Sequence, residues 1–153
     1  MTVLHVALLE PEIPPNTGNI ARLCAATGTR LHLLGPLGFK LDDKNLKRAG
    51  LDYWPSVDLA LHDSFDEFER TLESPRLWLI ETPATQNYTQ CEYRDGDAFL
   101  FGCESKGLPQ SLRERYADRM IGIPMPTGAV RSLNLATAVG IVVYEALRQV
   151  RCW

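Results

Sequence analysis

The first segment that could do chemistry is NTGNIAR, from Asn16 to Arg22, which follows an apolar run and a proline-rich loop. Two amides, Asn16 and Asn19, and one guanidinium stand together at the start of a predicted helix that ends at Gly28. In a strand–loop–helix unit the loop commonly binds a ligand, and in nucleotide binders it is rich in glycine. Here the segment offers amide and guanidinium groups instead, which can donate hydrogen bonds to the oxygen atoms of a ligand.

Two later loops carry glycines and polar side chains after apolar runs. The loop FGCESKGLP continues the run at 98–101, and its two glycines, Gly102 and Gly107, let the backbone approach a ligand closely. The loop IPMPTGAVRSLNL continues the run at 120–123 and leads into the last helix. Because ligands bind beyond the carboxyl ends of parallel strands, the three loops are expected to meet.

The polar residues of these loops also have purely structural interpretations. Ser132 and Asn16 are good helix N-caps, and Arg22 suits a solvated helix face. Glu104 could accept hydrogen bonds from the amides of the helix that follows it. The combination of all four residues at three strand ends favours a binding site over unrelated caps and surface groups.

The elements that would position these loops alternate along the chain. Apolar or β-branched runs predict strands at 3–9, 31–34, 77–80, 98–101 and 120–123, with a weaker candidate at 52–54. Helical patterns lie between them, including a capping box at Ser64 and Glu67 and a stretch at 42–50 whose charges match the helix dipole. The polar stretch at 83–97 is interpreted as a loop with at most a short helix. The alternation predicts an α/β fold with a mostly parallel sheet covered by helices on both faces.

The last helix has apolar residues on every side. These residues are Leu133, Leu135, Val139, Ile141, Val142, Val143 and Leu147. A surface helix of a monomer normally shows one apolar face. The helix is therefore either a central core helix or one shared with a second subunit, and the second interpretation is preferred.

Composition is that of one globular domain covering residues 1–153. Hydrophobic residues make up 45% and charged residues 23% of the chain, which is long enough to bury an ordinary core. No apolar stretch approaches the roughly 20 residues that span a bilayer, and no secretory signal is present, so a cytoplasmic protein without a membrane partner is expected. The net charge of −3 argues mildly against a nucleic-acid partner, although local patches set the field that a polyanion meets.

Several classes of site find no support. The four cysteines lie far apart without a CxxC motif, and the three histidines, His5, His32 and His62, are scattered, so reduced thiols and no metal site are predicted. The sequence has no GxGxxG after the first strand, no P-loop and no GxSxG. Dinucleotide binding, P-loop chemistry and acyl transfer are accordingly unsupported.

In order along the chain, NTGNIAR, FGCESKGLP and IPM…SLNLATAVGIVVYEAL resemble the three motifs of the SPOUT superfamily of knotted RNA methyltransferases. The segments EPEIPPNTGNIARLCAATG and DDKNLKRAGLDYW are similar to the small tRNA 2′-O-methyltransferases that act on the wobble cytidine or uridine. The resemblance covers essentially the whole chain. It implies a C-terminal trefoil knot, a rare exception to unknotted chains. It also implies S-adenosylmethionine as cofactor, tRNA as substrate and a homodimer formed through the first and last helices.

The resemblance assigns roles to individual residues by motif. The implied cofactor-binding positions are Ile80, Gly102, Ile123, Ser132 and Leu133. The implied catalytic residues are Arg22, which activates the ribose 2′-hydroxyl, and Asn16. The implied substrate contacts are Asn19, Glu104, Asn134, Lys44 and Arg48. Because a guanidinium stays protonated in proteins, stabilisation of a developing alkoxide is easier for this arginine than action as a base.

Two alternatives to wobble-position methylation remain open from the sequence. One is a 2′-O-methyltransferase that acts on another tRNA site or on ribosomal RNA. The other is a non-catalytic α/β nucleotide-binding module that has kept the fold. Mapping the methylated nucleotide in RNA distinguishes methylation at another site from wobble methylation. A non-catalytic module would incorporate no methyl group into RNA.

Overall fold

The structure is a computed structural model that describes residues 3–41, 44, 48, 54–72 and 76–153. The strands are β1 (His5–Leu9), β2 (Arg30–Leu34), β3 (Leu59–His62), β4 (Leu77–Ile80), β5 (Gln86–Asn87), β6 (Ala98–Phe101) and β7 (Met120–Gly122). The helices are α1 (Pro14–Thr27), α2 (Phe65–Thr71), α3 (Gln110–Arg115) and α4 (Leu135–Val150). The strands form one sheet in the order β3-β2-β1-β6-β4-β7-β5. Every pairing between neighbouring strands is parallel.

Each central strand contributes side chains to two hydrophobic cores, because successive side chains of a strand point to opposite faces of the sheet. On one face, α1 and α4 pack on strand residues that include Val6, Leu33 and Phe99. On the other face, α2 and α3 pack on residues that include Leu79 and Leu100. This arrangement confirms the predicted α/β fold with a parallel sheet and helices on both faces.

The strands in the middle of the sheet match the sequence prediction best. The runs at 77–80 and 98–101 are strands with those bounds, and the run at 120–123 ends one residue earlier. These strands are buried on both faces, so their sequences are continuously apolar. The last helix also begins later than the apolar pattern suggests, at Leu135.

The strands at the two edges of the sheet were not predicted. The segment LALH of β3 has Leu61 half exposed, and the two residues of β5 pair only with β7. An edge strand buries little surface, so it lacks a strong apolar signal. Of the weaker candidate at 52–54, Trp54 begins a short 3₁₀ turn, and the other two residues lie outside the described part of the chain. The predicted helix at 42–50 also lies outside it, apart from two residues.

Within the described residues, no helix combines the length and the apolar character needed to cross a membrane. The longest of the described helices, α4, has 16 residues. A single-pass helix needs about 20 predominantly apolar residues to cross the hydrocarbon core.

The three histidines form one hydrogen-bonded row across β1, β2 and β3. Nδ1 of His5 lies 2.9 Å from Nε2 of His32, and Nδ1 of His32 lies 3.0 Å from Nε2 of His62. The ring of Phe68 from α2 packs against His32 and His62, with centroid distances of 4.9 and 5.4 Å. The histidines are scattered along the sequence but adjacent in the fold, because parallel strands place residues distant in sequence side by side.

Burial in this row lowers the pKa of His32 to about 3, and it also lowers the pKa of His5 and of His62. Above pH 6.5 these imidazoles are neutral in both the folded and the unfolded chain. Below pH 6.5 the unfolded chain binds protons that the folded chain excludes, so stability is lost as the pH falls towards 3. We expect His32 alone to lower the free energy of unfolding by about 1–2 kcal/mol between pH 7 and pH 5.

Urea unfolding of the wild type and of His32→Asn at pH 7 and pH 5 measures this contribution. Carboxylates that titrate in the same range affect both proteins, so the difference between their pH dependences isolates the histidine. The variant should lose less stability on acidification than the wild type. Equal losses in the two proteins would show that the row does not exclude protons.

Candidate functional site

The loops after β1, β6 and β7 meet in one cleft of about 580 Å³, and the carboxyl end of β4 adds to its wall. Its lining includes all five of the predicted cofactor-binding residues, Ile80, Gly102, Ile123, Ser132 and Leu133. The volume is within the range of roughly 300–1,000 Å³ that small-molecule sites occupy. The convergence agrees with the rule that placed ligands beyond the carboxyl ends of the strands. The binding role of each residue stays a prediction.

The loop after β6 forms the tightest wall of the cleft. A Cβ atom on Gly102 would lie 2.2 Å from the carbonyl carbon of Gly107 and 2.5 Å from the nitrogen of Leu108. The N–H of Gly107 donates to the carbonyl oxygen of Cys103 at 2.9 Å, so the loop folds back on itself. Gly102 is therefore the residue that allows two stretches of backbone to touch at the cleft.

Glu104 joins this loop to the loop after β1. Its carboxylate accepts hydrogen bonds from the N–H of Glu12 at 2.9 Å, the N–H of Ile13 at 3.2 Å and Nδ2 of Asn16 at 3.4 Å. These donors precede or begin α1. The structural alternative, in which Glu104 meets the amides of the helix after its own loop, is therefore wrong.

Glu12, in the loop after β1, accepts hydrogen bonds from the loop after β6. Its Oε1 accepts from the N–H of Ser105 at 2.9 Å and from Oγ of Ser105 at 2.6 Å. These two bonds lower the pKa of the Glu12 carboxyl below its usual range. Two reciprocal carboxylate contacts thus hold the first and second loops together.

Asn16 and Asn134 attach the third loop to this pair. Nδ2 of Asn134 donates to Oδ1 of Asn16 at 3.0 Å, and Oδ1 of Asn134 accepts from Ala136 N at 2.9 Å and Thr137 N at 3.3 Å. Asn134 is therefore the N-cap of α4. Both oxygen and nitrogen of the Asn16 amide contact other loops, so Asn16 positions all three of them.

The two caps suggested by the sequence are not found. Asn134, and not Ser132, caps α4, which leaves Ser132 exposed on the wall of the cleft. The N-cap of α1 is Ile13, which makes no side-chain bond, and proline occupies the first turn. Proline has no N–H to be capped, and Asn16 is consequently available for contacts between loops.

The remaining predicted residues lie away from the cleft wall. Asn19, Arg22, Lys44 and Arg48 are all exposed, and none of them is among the described residues that line the cleft. On a helix, a separation of six residues turns the side chain by about 240°, so Arg22 and Asn16 of α1 face different directions. The structure does not bring Arg22 into the cleft of its own chain.

Three charged residues of the cleft were not assigned to it from the sequence: Glu81, Lys106 and Arg131. Glu81 directly follows β4, so the rule of carboxyl ends could have identified it. Lys106 lies between Gly102 and Gly107 in the loop after β6 (the glycine loop), and a single lysine in a loop gives no specific signal in the sequence. Arg131 directly precedes the SLN segment, and nothing in the sequence distinguishes it from an ordinary surface arginine.

Residues 3–144 match the family described as the SpoU rRNA Methylase family. The chain is 47% identical over 148 residues to the tRNA (cytidine(34)-2'-O)-methyltransferase of Escherichia coli (strain K12). That match covers 96% of this chain and 94% of the relative.

Solved structures show the same similarity. One, described as "Structural insights into the 2-OH methylation of C/U34 on tRNA", has a TM-score of 0.92 and 51% identity and covers 97% of this chain and 96% of that chain. A SpoU methyltransferase from Streptomyces viridochromogenes, in complex with the cofactor AdoMet, has a TM-score of 0.83 and 27% identity. That match covers 97% of this chain and 58% of the other.

Proposed function

Because this chain belongs to the SpoU rRNA Methylase family, we propose that it methylates the ribose 2′-hydroxyl of tRNA nucleotide 34, a cytidine or modified uridine. S-adenosylmethionine is the methyl donor. The observation that carries the proposal is the cleft in which the three loops meet, in a chain similar over nearly its whole length to wobble-position methyltransferases. The family description favours ribosomal RNA as the substrate, but the relative that shares about half of its residues with this chain is named for nucleotide 34 of tRNA.

The lining of the cleft suits S-adenosylmethionine in shape and chemistry. Ile80, Ile123 and Leu133 offer apolar walls for an adenine, and the backbone around Gly102 offers hydrogen-bonding groups without a side chain in the way. When bound, the cofactor supplies a methyl group activated by a positively charged sulfur. Ser132, exposed on the same wall, adds a hydroxyl donor.

The proposed reaction breaks one carbon–sulfur bond, forms one carbon–oxygen bond and releases the proton of the 2′-hydroxyl. The chain must hold the 2′-oxygen in line with the carbon–sulfur bond that breaks, and it must stabilise the negative charge that develops on this oxygen. Arg22 is assigned the second task, since a guanidinium is a permanent cation with several donors. Asn16 organises the loops around the reacting groups.

We assign the outer face of α4, together with α1, to a homodimer interface. The inner face of α4 is buried through Val139, Val142 and Val143. On the outer face, Tyr144 is 47% exposed, and apart from the adjoining helix backbone nothing lies within 4 Å of a Cβ position on Gly140. An exposed aromatic beside a glycine permits the close approach of a second helix, which favours the shared helix over the central core helix. A dimer through α1 would bring a second protomer to Arg22.

The substitution Tyr144→Glu should convert the dimer into a monomer, because it places a charge in the proposed interface. Tyr144 is exposed in the single chain, so its fold should survive. Light scattering coupled to size-exclusion chromatography measures the mass. Leu61→Glu is the matched control, since Leu61 is 52% exposed on the edge strand β3 and should leave the dimer intact. A monomeric wild type, or a dimeric Tyr144→Glu, would contradict the assignment.

Binding of tRNA by a chain of net charge −3 requires local clusters of cations. Lys44 and Arg48 are exposed, and Lys106 and Arg131 lie at the cleft, so these four residues are the proposed phosphate contacts. Asn19 and Glu104 are proposed to position the nucleotide. Family membership further supports a C-terminal trefoil knot, a single domain and a cytoplasmic location.

The proposed function is tested with tRNA and ribosomal RNA from cells that lack this protein. Mass spectrometry of nuclease fragments maps each 2′-O-methyl group. Loss of the methyl group at tRNA nucleotide 34, restored by the wild-type gene, is the expected result. Loss at another tRNA or ribosomal position would establish the alternative substrate. An unchanged methylation map would point to the non-catalytic module.

A further inference from the structure

Glu81 holds a negative charge at the wall of the cleft. It is the first residue after β4 and lines the cleft together with the glycine loop. Its Oε2 accepts a hydrogen bond from the N–H of Leu108 at 3.0 Å, and its Oε1 accepts one from the N–H of Thr82 at 3.3 Å. A Cβ atom on Gly107 would lie 3.1 Å from Oε2 and 3.3 Å from Oε1. The carboxylate is thus fixed against the loop by backbone donors on two sides.

No cation within the described residues forms an ion pair with Glu81. The other carboxylate of the cleft, Glu104, accepts from two backbone N–H groups and one side-chain amide. The two cations of the cleft, Lys106 and Arg131, are exposed to solvent. The charge of Glu81 is therefore available to a positively charged ligand.

The two ligands that the cleft must distinguish differ chiefly in charge. S-adenosylmethionine carries a sulfonium, an ammonium and a carboxylate, whereas the product S-adenosylhomocysteine has an uncharged thioether in place of the sulfonium. A sulfonium has no N–H or O–H, so it cannot donate a conventional hydrogen bond. A fixed carboxylate in a partly desolvated cleft stabilises the cationic ligand by Coulomb attraction and leaves the neutral sulfur unaffected.

We propose that Glu81 is a specificity-determining residue that makes the cleft prefer the cationic methyl donor to its uncharged product. The proposal rests on the proposed function, because it takes S-adenosylmethionine as the ligand. Transfer of the methyl group removes the charge that Glu81 attracts. The product is then held less tightly, and fresh donor replaces it.

The test compares the dissociation constants of both ligands by isothermal titration calorimetry, using the full chain in its wild-type form and as Glu81→Gln. The glutamine keeps an oxygen that can accept from Leu108 and removes the charge. We expect the affinity for S-adenosylmethionine to fall roughly three- to tenfold and the affinity for S-adenosylhomocysteine to change less than about twofold. Glu92→Gln is the matched control, since Glu92 is exposed, does not line the cleft and should leave both affinities unchanged.

A purely structural role for Glu81 gives a different result. If the glutamine only disturbs the glycine loop, both affinities fall by the same factor, the ratio stays constant and the proposal is overturned. Glu81→Asp, which keeps the charge on a shorter side chain, should recover part of the ratio. A wild-type protein that binds neither ligand would overturn the proposed function itself, so the two failures are distinguishable.

Discussion

Arg22→Lys should lower the rate of methyl transfer by at least about 100-fold and leave the affinity for S-adenosylmethionine within about twofold of the wild type. The loss is expected because a planar guanidinium can donate two hydrogen bonds at once to a developing alkoxide or a phosphate, whereas an ammonium acts as a point charge. Cofactor affinity should persist because Arg22 lies outside the cleft lining of its own chain. Single-turnover transfer of labelled methyl to tRNA and calorimetric titration of the cofactor measure the two quantities.

Arg113→Lys is the control for this substitution. Arg113 is exposed on α3 and does not line the cleft, so its replacement should change neither quantity. Cofactor affinity that collapses with activity in Arg22→Lys would show that the arginine supports the cleft. Unchanged turnover would remove Arg22 from the reaction.

Gly102→Ala should weaken binding of S-adenosylmethionine by at least about 100-fold, since the added methyl group cannot be accommodated without moving backbone. Its Cβ would lie 2.2 Å from a carbonyl carbon and 2.5 Å from a backbone nitrogen, distances far below van der Waals contact. The backbone that must move, at Gly107 and Leu108, is held by the bond from the N–H of Leu108 to Glu81, and the Glu104 contacts hold the same loop just before it. Overpacking should also lower the free energy of unfolding by about 1–3 kcal/mol, which thermal unfolding can measure.

Gly96→Ala separates the specific clash from the general cost of replacing a glycine. Gly96 has a φ of +86°, and nothing lies within 4 Å of its Cβ position. Its N–H bonds to Val3 before β1, at the end of the sheet opposite the cleft. We expect this variant to lose about 1 kcal/mol of stability and no cofactor affinity. Equal effects on affinity in both glycine variants would contradict the role of Gly102.

Burial determined how much of the fold could be predicted. The strands β4 and β6 lie inside the sheet, so their residues are apolar throughout and their bounds follow from the sequence. The strands β3 and β5 lie at the edges, where Leu61 is exposed and Gln86 bonds to the carbonyl oxygen of Asp118. Their pairing depends on neighbours distant in sequence, and no local pattern contains that information.

The candidate site, like the fold, could be predicted only in part. Its location followed from one rule, that loops after parallel strands meet at one edge of the sheet. Its internal contacts did not follow, because an asparagine or glutamate can cap its own helix or reach another loop with equal chemistry. The bond between Asn134 and Asn16 spans 118 residues, and only the folded chain specifies it. In the proposed complex, Arg22 meets RNA and a second protomer, and the sequence of one chain describes neither.

The central claim is that the three-loop cleft serves methyl transfer to one oxygen, the 2′-hydroxyl of tRNA nucleotide 34. The most direct measurement incubates the purified protein with isotope-labelled S-adenosylmethionine and a tRNA that carries 2′-deoxyribose at nucleotide 34 only. A tRNA with 2′-deoxyribose at nucleotide 32 is the matched substrate. We predict full incorporation of label into the second tRNA and none into the first. Equal incorporation into both would contradict the account.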